Sequence, residues 1–302
     1  MAFKAAFIAI VGRPSAGKST LVNQLCGHNI AIVSPVPQTT RNAIRGIVNR
    51  EQGQLVLVDT PGLHQSLKKV NFRLRETALR AASESDIILY VLDASRAPGP
   101  EENAIVEAIK TEFNSQPLVA AVNKVDLPSA NFDRAVEFLK SNVSIQPRNF
   151  SMDRILPVSA LTNTGIDALL DMLFSLAPEG EAFYPEEYYT DQEMDFRISE
   201  IIRGAALPFL REELPHVIHV EVADIELREK RLWVRAFIIC ERETQKGMIV
   251  GKGGSVIKAI GEKSRKELNR IFEWKVDLDL RVKTGKDWRH NDKVLRRIID
   301  QS

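Results

Sequence analysis

Eight residues near the amino terminus have the types and spacing to grip a phosphate. Gly12-Arg13-Pro14-Ser15-Ala16-Gly17-Lys18-Ser19 fits the pattern G-x-x-x-x-G-K-[ST]. Glycines let backbone N–H groups converge on phosphate oxygens, and a helix that begins at the loop's end points its positive terminus at them. Lys18 supplies a cation for the β- and γ-phosphates, and the Ser19 hydroxyl suits Mg2+. Thr20 opens the helix and is counted with the loop. Such a loop does not by itself choose adenine or guanine, nor separate kinases, ATPases and GTPases.

A second group could read the base. Asn123-Lys124-Val125-Asp126 places a carboxylate where it can accept from both N1–H and the exocyclic amine of guanine. Adenine has an acceptor at N1 and no amine on that edge, so a buried polar site built for guanine rejects it. Asn123 can support the loop and meet the purine's other edge, and the Lys124 stem can cover the ring face. Ser159-Ala160, after Val158, offers backbone that can close over the base.

These residues need elements to hold them. Residues 5–11 (AAFIAIV) are continuous and apolar and run into Gly12, which predicts a buried parallel strand. Strands are also predicted at 43–49, 54–59, 86–93 and 117–123, with Glu51-Gln52-Gly53 as a turn between the second and third. Helical periodicity falls over 20–26, 68–83, 101–112, 131–141 and 165–176. Strand alternating with helix implies an α/β domain with a mostly parallel sheet and helices on both faces, and ligands at the carboxyl ends of the strands. Gly12, Asp59 and Asn123 each come at such an end. Residues 177–192 are acidic, carry Pro and Gly and lack periodicity, so they are expected to link a domain over 1–176 to one over 193–302.

The last third follows another order: helix (193–210), strands (216–225 and 231–240), a Gly-rich turn with helix (247–271), strand (275–282) and a last helix (291–299). Its centre is Ile249-Val250-Gly251-Lys252-Gly253-Gly254-Ser255. Glycines there admit a nucleic-acid backbone that a Cβ would hold off, and Lys252, Lys258 and a helix N-terminus favour phosphate. Lys263, Arg265 and Lys266 extend the positive surface. Ile249, Ile257 and Ile260 are expected as an apolar floor for bases. The final helix, with Lys293, Arg296 and Arg297, is either a solvated face or part of that surface.

Charge agrees with the placement. The 302 residues carry 41 Lys and Arg against 40 Asp and Glu. From Arg242 to Ser302 the count is 16 basic to 9 acidic, while the rest holds 25 to 31. A basic end on an otherwise acidic chain suggests a polyanion partner. No apolar run approaches the roughly 20 residues that cross a bilayer. Cys26 and Cys240 read as two free buried thiols in a reducing compartment, and the five His have no zinc spacing.

The loop at 12–19, Asp59-Thr60-Pro61-Gly62, Asn123–Asp126 and Ser159-Ala160 together resemble the translation-factor-related class of GTPases. That resemblance implies that Asp59 reaches Mg2+ through water, that the Gly62 amide senses the γ-phosphate, and that a threonine of Gln38-Thr39-Thr40-Arg41 ligates Mg2+. The string favours Thr40 and leaves Thr39 open. Lys18, Thr40 and Gly62 are the residues expected to act on the reaction. Leu63 stands where many signalling GTPases carry a water-positioning Gln, so slow intrinsic turnover is expected. The water is left to backbone, to His64 or to a residue from elsewhere, and Arg41 and Arg45 are the nearest arginines. Ser15 replaces an Asn that helps hold K+ in some relatives, so the resemblance does not carry potassium activation over.

The helix and strand order around G-x-x-G resembles an α+β type II KH domain. A GTPase domain followed by such a domain resembles the Era family of ribosome-assembly GTPases over nearly the whole chain. The resemblance rests on Gln38–Arg41, Asp59–His64 and Gly251–Gly254. It implies GTP and GDP as ligands, Mg2+ as cofactor, the 3′ end of 16S rRNA and the 30S subunit as partners, and a cytoplasmic pool with weak peripheral attachment to the inner membrane. A monomer is expected. The competing reading is a GTP-gated switch whose C-terminal domain docks a protein or membrane surface. An ATP-dependent kinase is disfavoured by Asn123–Asp126.

Overall fold

The computed structural model describes residues 2–33, 44–60, 82–113, 115–143, 150–285 and 288. The expected helix over 68–83 falls almost wholly outside them, and the expected helix over 291–299 lies outside them entirely. The apolar runs fold as strands: β1 (Lys4–Val11), β2 (Ile44–Arg50), β3 (Gly53–Asp59), β4 (Ile87–Asp93), β5 (Leu118–Asn123) and β6 (Ile155–Pro157). They form one sheet in the order β2-β3-β1-β4-β5-β6, and only β2 and β3 pair antiparallel. Every residue of β3, β4 and β5 is buried, as strands covered on both faces require.

Helices α1 (Lys18–Cys26), α2 (Pro100–Glu112), α3 (Phe132–Asn142) and α4 (Ile166–Leu176) supply that cover. Leu21, Val22 and Leu25 of α1 join Leu169, Leu170 and Leu173 of α4 over one face, against Ile8, Ile10 and Leu57. Ile105 and Ile109 of α2 join Ala135 and Leu139 of α3 over the other, against Ala9, Val11, Ile88 and Tyr90. Each fully buried Leu or Ile contributes roughly 1.5–3 kcal/mol. The alternating faces of β1 thus anchor the loop at its end from both sides.

The stretch expected as a linker forms no helix, yet it is bonded along the sheet. The Ala5 N–H donates to Pro178, and the Gly180 N–H to Phe3. Buried Gln54 donates to the Tyr184 carbonyl and accepts from the N–H groups of Phe183 and Tyr184 at 2.8 and 2.9 Å. The Phe183 ring sits 4.5 Å from that of Phe7. Farther on, the Ile47 N–H donates to Tyr189, the Thr190 hydroxyl donates to Arg45, and Arg45 pairs with Asp191 at 2.8 Å. These residues form a strap on the first unit. The chain divides into two compact units between Asp191 and Gln192, with Ile32 and Val33 belonging to the second.

Among the described residues the second unit has three strands, β7 (His219–Arg228), β8 (Arg231–Cys240) and β9 (Lys275–Thr284), in that order, the first pair antiparallel and the second parallel. Strand β8 alternates, with Leu232, Val234, Ala236, Ile238 and Cys240 buried. They pack with helices α5 (Met194–Ala206), α6 (Glu243–Val250) and α7 (Ser255–Ile271). β7 begins three residues later than expected because Leu214–Val217 forms one helical turn, in whose first positions Pro215 is at home. Among the described residues no helix is long and apolar enough to cross a membrane.

Candidate functional site

The carboxyl ends of β1, β3, β4 and β5 lie side by side, with Ile10 in register with Asp59 and Asp93 with Asn123. Polar residues leave the sheet there because the buried run ends there. Gly17 caps α1 at φ +96°, a conformation that favours glycine, and a Cβ on it would lie 2.3 Å from Asn123 Nδ2. A Cβ on Gly12 would lie 2.6 Å from the Val91 carbonyl oxygen. Both glycines are therefore required by close approach. Ser15 holds a positive φ of 63° at the exposed turn of the loop.

Within the loop the Lys18 ammonium is buried and donates to the carbonyls of Gly12 and Arg13 at 2.9 and 3.1 Å. Burial pushes it below the ordinary lysine value, against the opposing pull of Asp59 and Glu101. The Ser19 hydroxyl donates to Asp59 at 2.7 Å, and Asp59 is wholly buried. Thr60, also buried, donates to the Ile10 carbonyl. A hydroxyl and a carboxylate side by side are the hard oxygen donors that Mg2+ prefers, so these residues fit that ion.

The base-reading residues are tied to the same loop. Buried Asn123 donates to the Ala16 carbonyl at 2.9 Å and accepts from the Ala160 N–H at 3.0 Å. Lys124, at φ +68°, donates to the Ser15 carbonyl at 2.7 Å. Val125 donates from its backbone to Val158, and Ser159 exchanges backbone hydrogen bonds with Thr164. Asp126 is exposed beside this frame, within a turn closed by the Leu127 N–H on the Lys124 carbonyl. The structure thus brings together residues 12–20, Asp59, Thr60, 123–126, Ser159 and Ala160. Thr39, Thr40, Arg41, Pro61, Gly62, Leu63 and His64 lie outside the described residues. Arg45 is engaged by Asp191, so its guanidinium is committed to the strap.

Two acidic residues were missed. Asp93, at the end of β4, accepts from Lys124 at 2.7 Å and pairs with Arg13 at 3.1 Å. Glu102 pairs with Arg13 at 3.0 Å and caps α2 by accepting from the Gly99 N–H. The signal for Asp93 was present: like Asp59 and Asn123, it is the polar residue that ends a buried strand. Burial pushes its carboxyl up, but hydrogen bonds from Lys124 and Ser95 outweigh that and hold it below the usual range.

In the second unit, Gly251, Gly253 and Gly254 take positive φ values of 74°, 61° and 79° between α6 and α7. Lys252, Gly253, Ser255 and Lys258 are exposed, and Val250 and Gly254 partly so. Ile249 and Ile260 are wholly excluded from solvent and pack in the core with Ile238 and Cys240, with Ile257 against them. The expected apolar floor is therefore corrected: Ile249 and Ile260 support the loop from beneath and present no surface to a base. Both cysteines are free, and burial pushes the Cys26 thiol up to about 12.

A family described as 50S ribosome-binding GTPase matches residues 7–124, and the KH domain family matches 213–289. GTPase Era of Treponema denticola is 47% identical over 96% of this chain and 98% of its own length. GTPase Era of Borrelia hermsii is 44% identical over 98% and 100%. A crystal structure of a variant of Aquifex aeolicus Era bound to GDP·AlF4− superposes with a TM-score of 0.89 at 31% identity, covering 99% of this chain and all of that one. A crystal structure of Era with MgGDPNP and nucleotides 1506–1542 of 16S ribosomal RNA gives the same TM-score and identity, with 99% of each chain covered. With both units matched and relatives above 40% identity along nearly its full length, this chain belongs to the GTPase Era family.

Proposed function

We propose that this chain is a Mg2+-dependent GTPase that binds the 3′ end of 16S rRNA through its KH unit and acts in 30S subunit assembly. The observation that carries the nucleotide half is Asn123, whose one amide bonds both the phosphate loop and the Ser-Ala loop. Phosphate grip and base recognition are therefore parts of one frame. In this reading the backbone N–H groups of the loop, Pro14 excepted, and the α1 terminus cradle the phosphates. Lys18 exchanges its loop carbonyls for phosphate oxygens. Asp126 accepts from the guanine edge, the Lys124 stem lies along the ring, and the Ser159-Ala160 backbone closes over it. Ser19, with Asp59 through water and Thr40, would hold Mg2+. When bound, that ion offsets the charge that develops on the transferring phosphoryl group. Lys18 and the Gly62 amide share that charge, so positioning and electrostatics carry the reaction.

For the RNA half, glycine conformations at 251, 253 and 254 beside exposed Lys252, Ser255 and Lys258 suit a phosphate backbone. A cytoplasmic location with weak peripheral attachment at the inner membrane accompanies this function. Equilibrium titration with labelled GTP and ATP tests the site. GTP is expected to bind tighter by a factor on the order of 10³ or more, and Lys18→Ala to abolish binding. Equal uptake of ATP would overturn the reading.

A further inference from the structure

One carboxylate lies between the two halves of the nucleotide site and takes no part in either motif. We propose that Asp93 is a positioning residue that holds the base-reading Lys124 in register with the phosphate loop, and so sets guanine-nucleotide affinity without touching the nucleotide.

Asp93 is buried at the end of β4, and its side chain is 2% exposed. Its Oδ2 accepts from Lys124 Nζ at 2.7 Å and pairs with Arg13 of the loop at 3.1 Å. Its Oδ1 accepts from the backbone N–H and the hydroxyl of Ser95, so this carboxylate cannot swing. Lys124 Nζ also donates to the Ser15 carbonyl at 2.7 Å, which closes a ring of bonds from loop to base motif and back. Arg13 is fixed on its other side by Glu102, and Glu102 is fixed by the first turn of α2. A lysine stem has several rotatable bonds and loses much entropy when it is held still. Anchoring its head beforehand removes that cost from binding, which is the general benefit of preorganisation. A charge-assisted hydrogen bond to a carboxylate that is itself held out of water is strong enough to do so.

The inference rests on the proposed GTP site, and the experiment separates the two. GTP and GDP affinities are measured for wild type, Asp93→Asn, Lys124→Ala and the double variant, with GTP-over-ATP selectivity of the wild type as the check on the site itself. Asp93→Asn is expected to weaken GTP and GDP alike, by about tenfold to a hundredfold, and to raise KM with little change in kcat. In the Lys124→Ala background it should cost less than about twofold, because its partner is already gone. Equal losses in both backgrounds, or a loss in kcat alone, would overturn the role. Lys124→Met leaves Asp93 intact and keeps the aliphatic stem, so it answers even if Asp93→Asn does not fold. It should lose about tenfold to a hundredfold in affinity, the loss expected of Asp93→Asn, and wild-type affinity would refute the anchor.

Discussion

At the scale of single residues, the site is a set of close approaches that few side chains permit. Gly17 is the sharpest case, held at φ +96° with no room for a Cβ beside Asn123. Gly17→Ala must push that amide off the Ala16 carbonyl and the Ala160 N–H. It should cost about 1–3 kcal/mol in stability through backbone strain alone. It should also weaken GTP binding at least tenfold, to be read by denaturant unfolding and nucleotide titration on one preparation. Wild-type values in both would show that the frame does not depend on this approach. The residues of such motifs were legible in the sequence because the chemistry needs glycine where backbone must come close and a cation where phosphate sits. Asp93 was not singled out, because its partners Arg13 and Lys124 are 80 and 31 positions away and only the fold brings them together. Ile249 and Ile260 were misplaced because an apolar residue near a binding loop looks the same whether it faces a ligand or the core.

At the scale of elements, continuous apolar runs predicted the buried strands, since a strand covered on both faces has no polar side to show. The strap was not legible. It has no periodicity, and it is held by backbone bonds to buried Gln54, a residue that strand patterning counts as a polar interruption. The energetics make Gln54 a supporting side chain for residues 183 and 184. Gln54→Ala removes three hydrogen bonds to the strap and a fourth to the Asn49 side chain, and leaves the Tyr184 carbonyl and two N–H groups without this partner. A loss of about 1–3 kcal/mol is expected in denaturant unfolding of the first unit, with faster proteolysis near 183–184. A change below about 0.5 kcal/mol would mean that the strap does not depend on these bonds.

For the molecule as a whole, the charge asymmetry separates two jobs along the chain. The basic excess lies from Arg242 onward, where the glycine loop is, and the nucleotide site lies on the acidic remainder. Binding of an RNA carrying the 16S 3′ sequence should therefore weaken steeply with salt, on the order of 10²-fold or more between about 50 and 200 mM. Gly254→Asp adds a negative charge and a Cβ at φ +79°. It should remove RNA retention in a filter assay while GTP titration stays as in wild type. RNA binding that survives the substitution would overturn the role of the glycine loop, and binding that ignores salt would overturn phosphate contact as its source.

The strap has one more consequence, for association between copies. A parallel sheet exposes unpaired backbone at its two outer strands, and such rims invite a foreign chain to add itself. Here one rim, β2, is already occupied by residues 189 and 190. The other, β6, spans three residues and ends in a proline that has no N–H to offer. The six-stranded sheet leaves a neighbouring molecule little template on which to continue it.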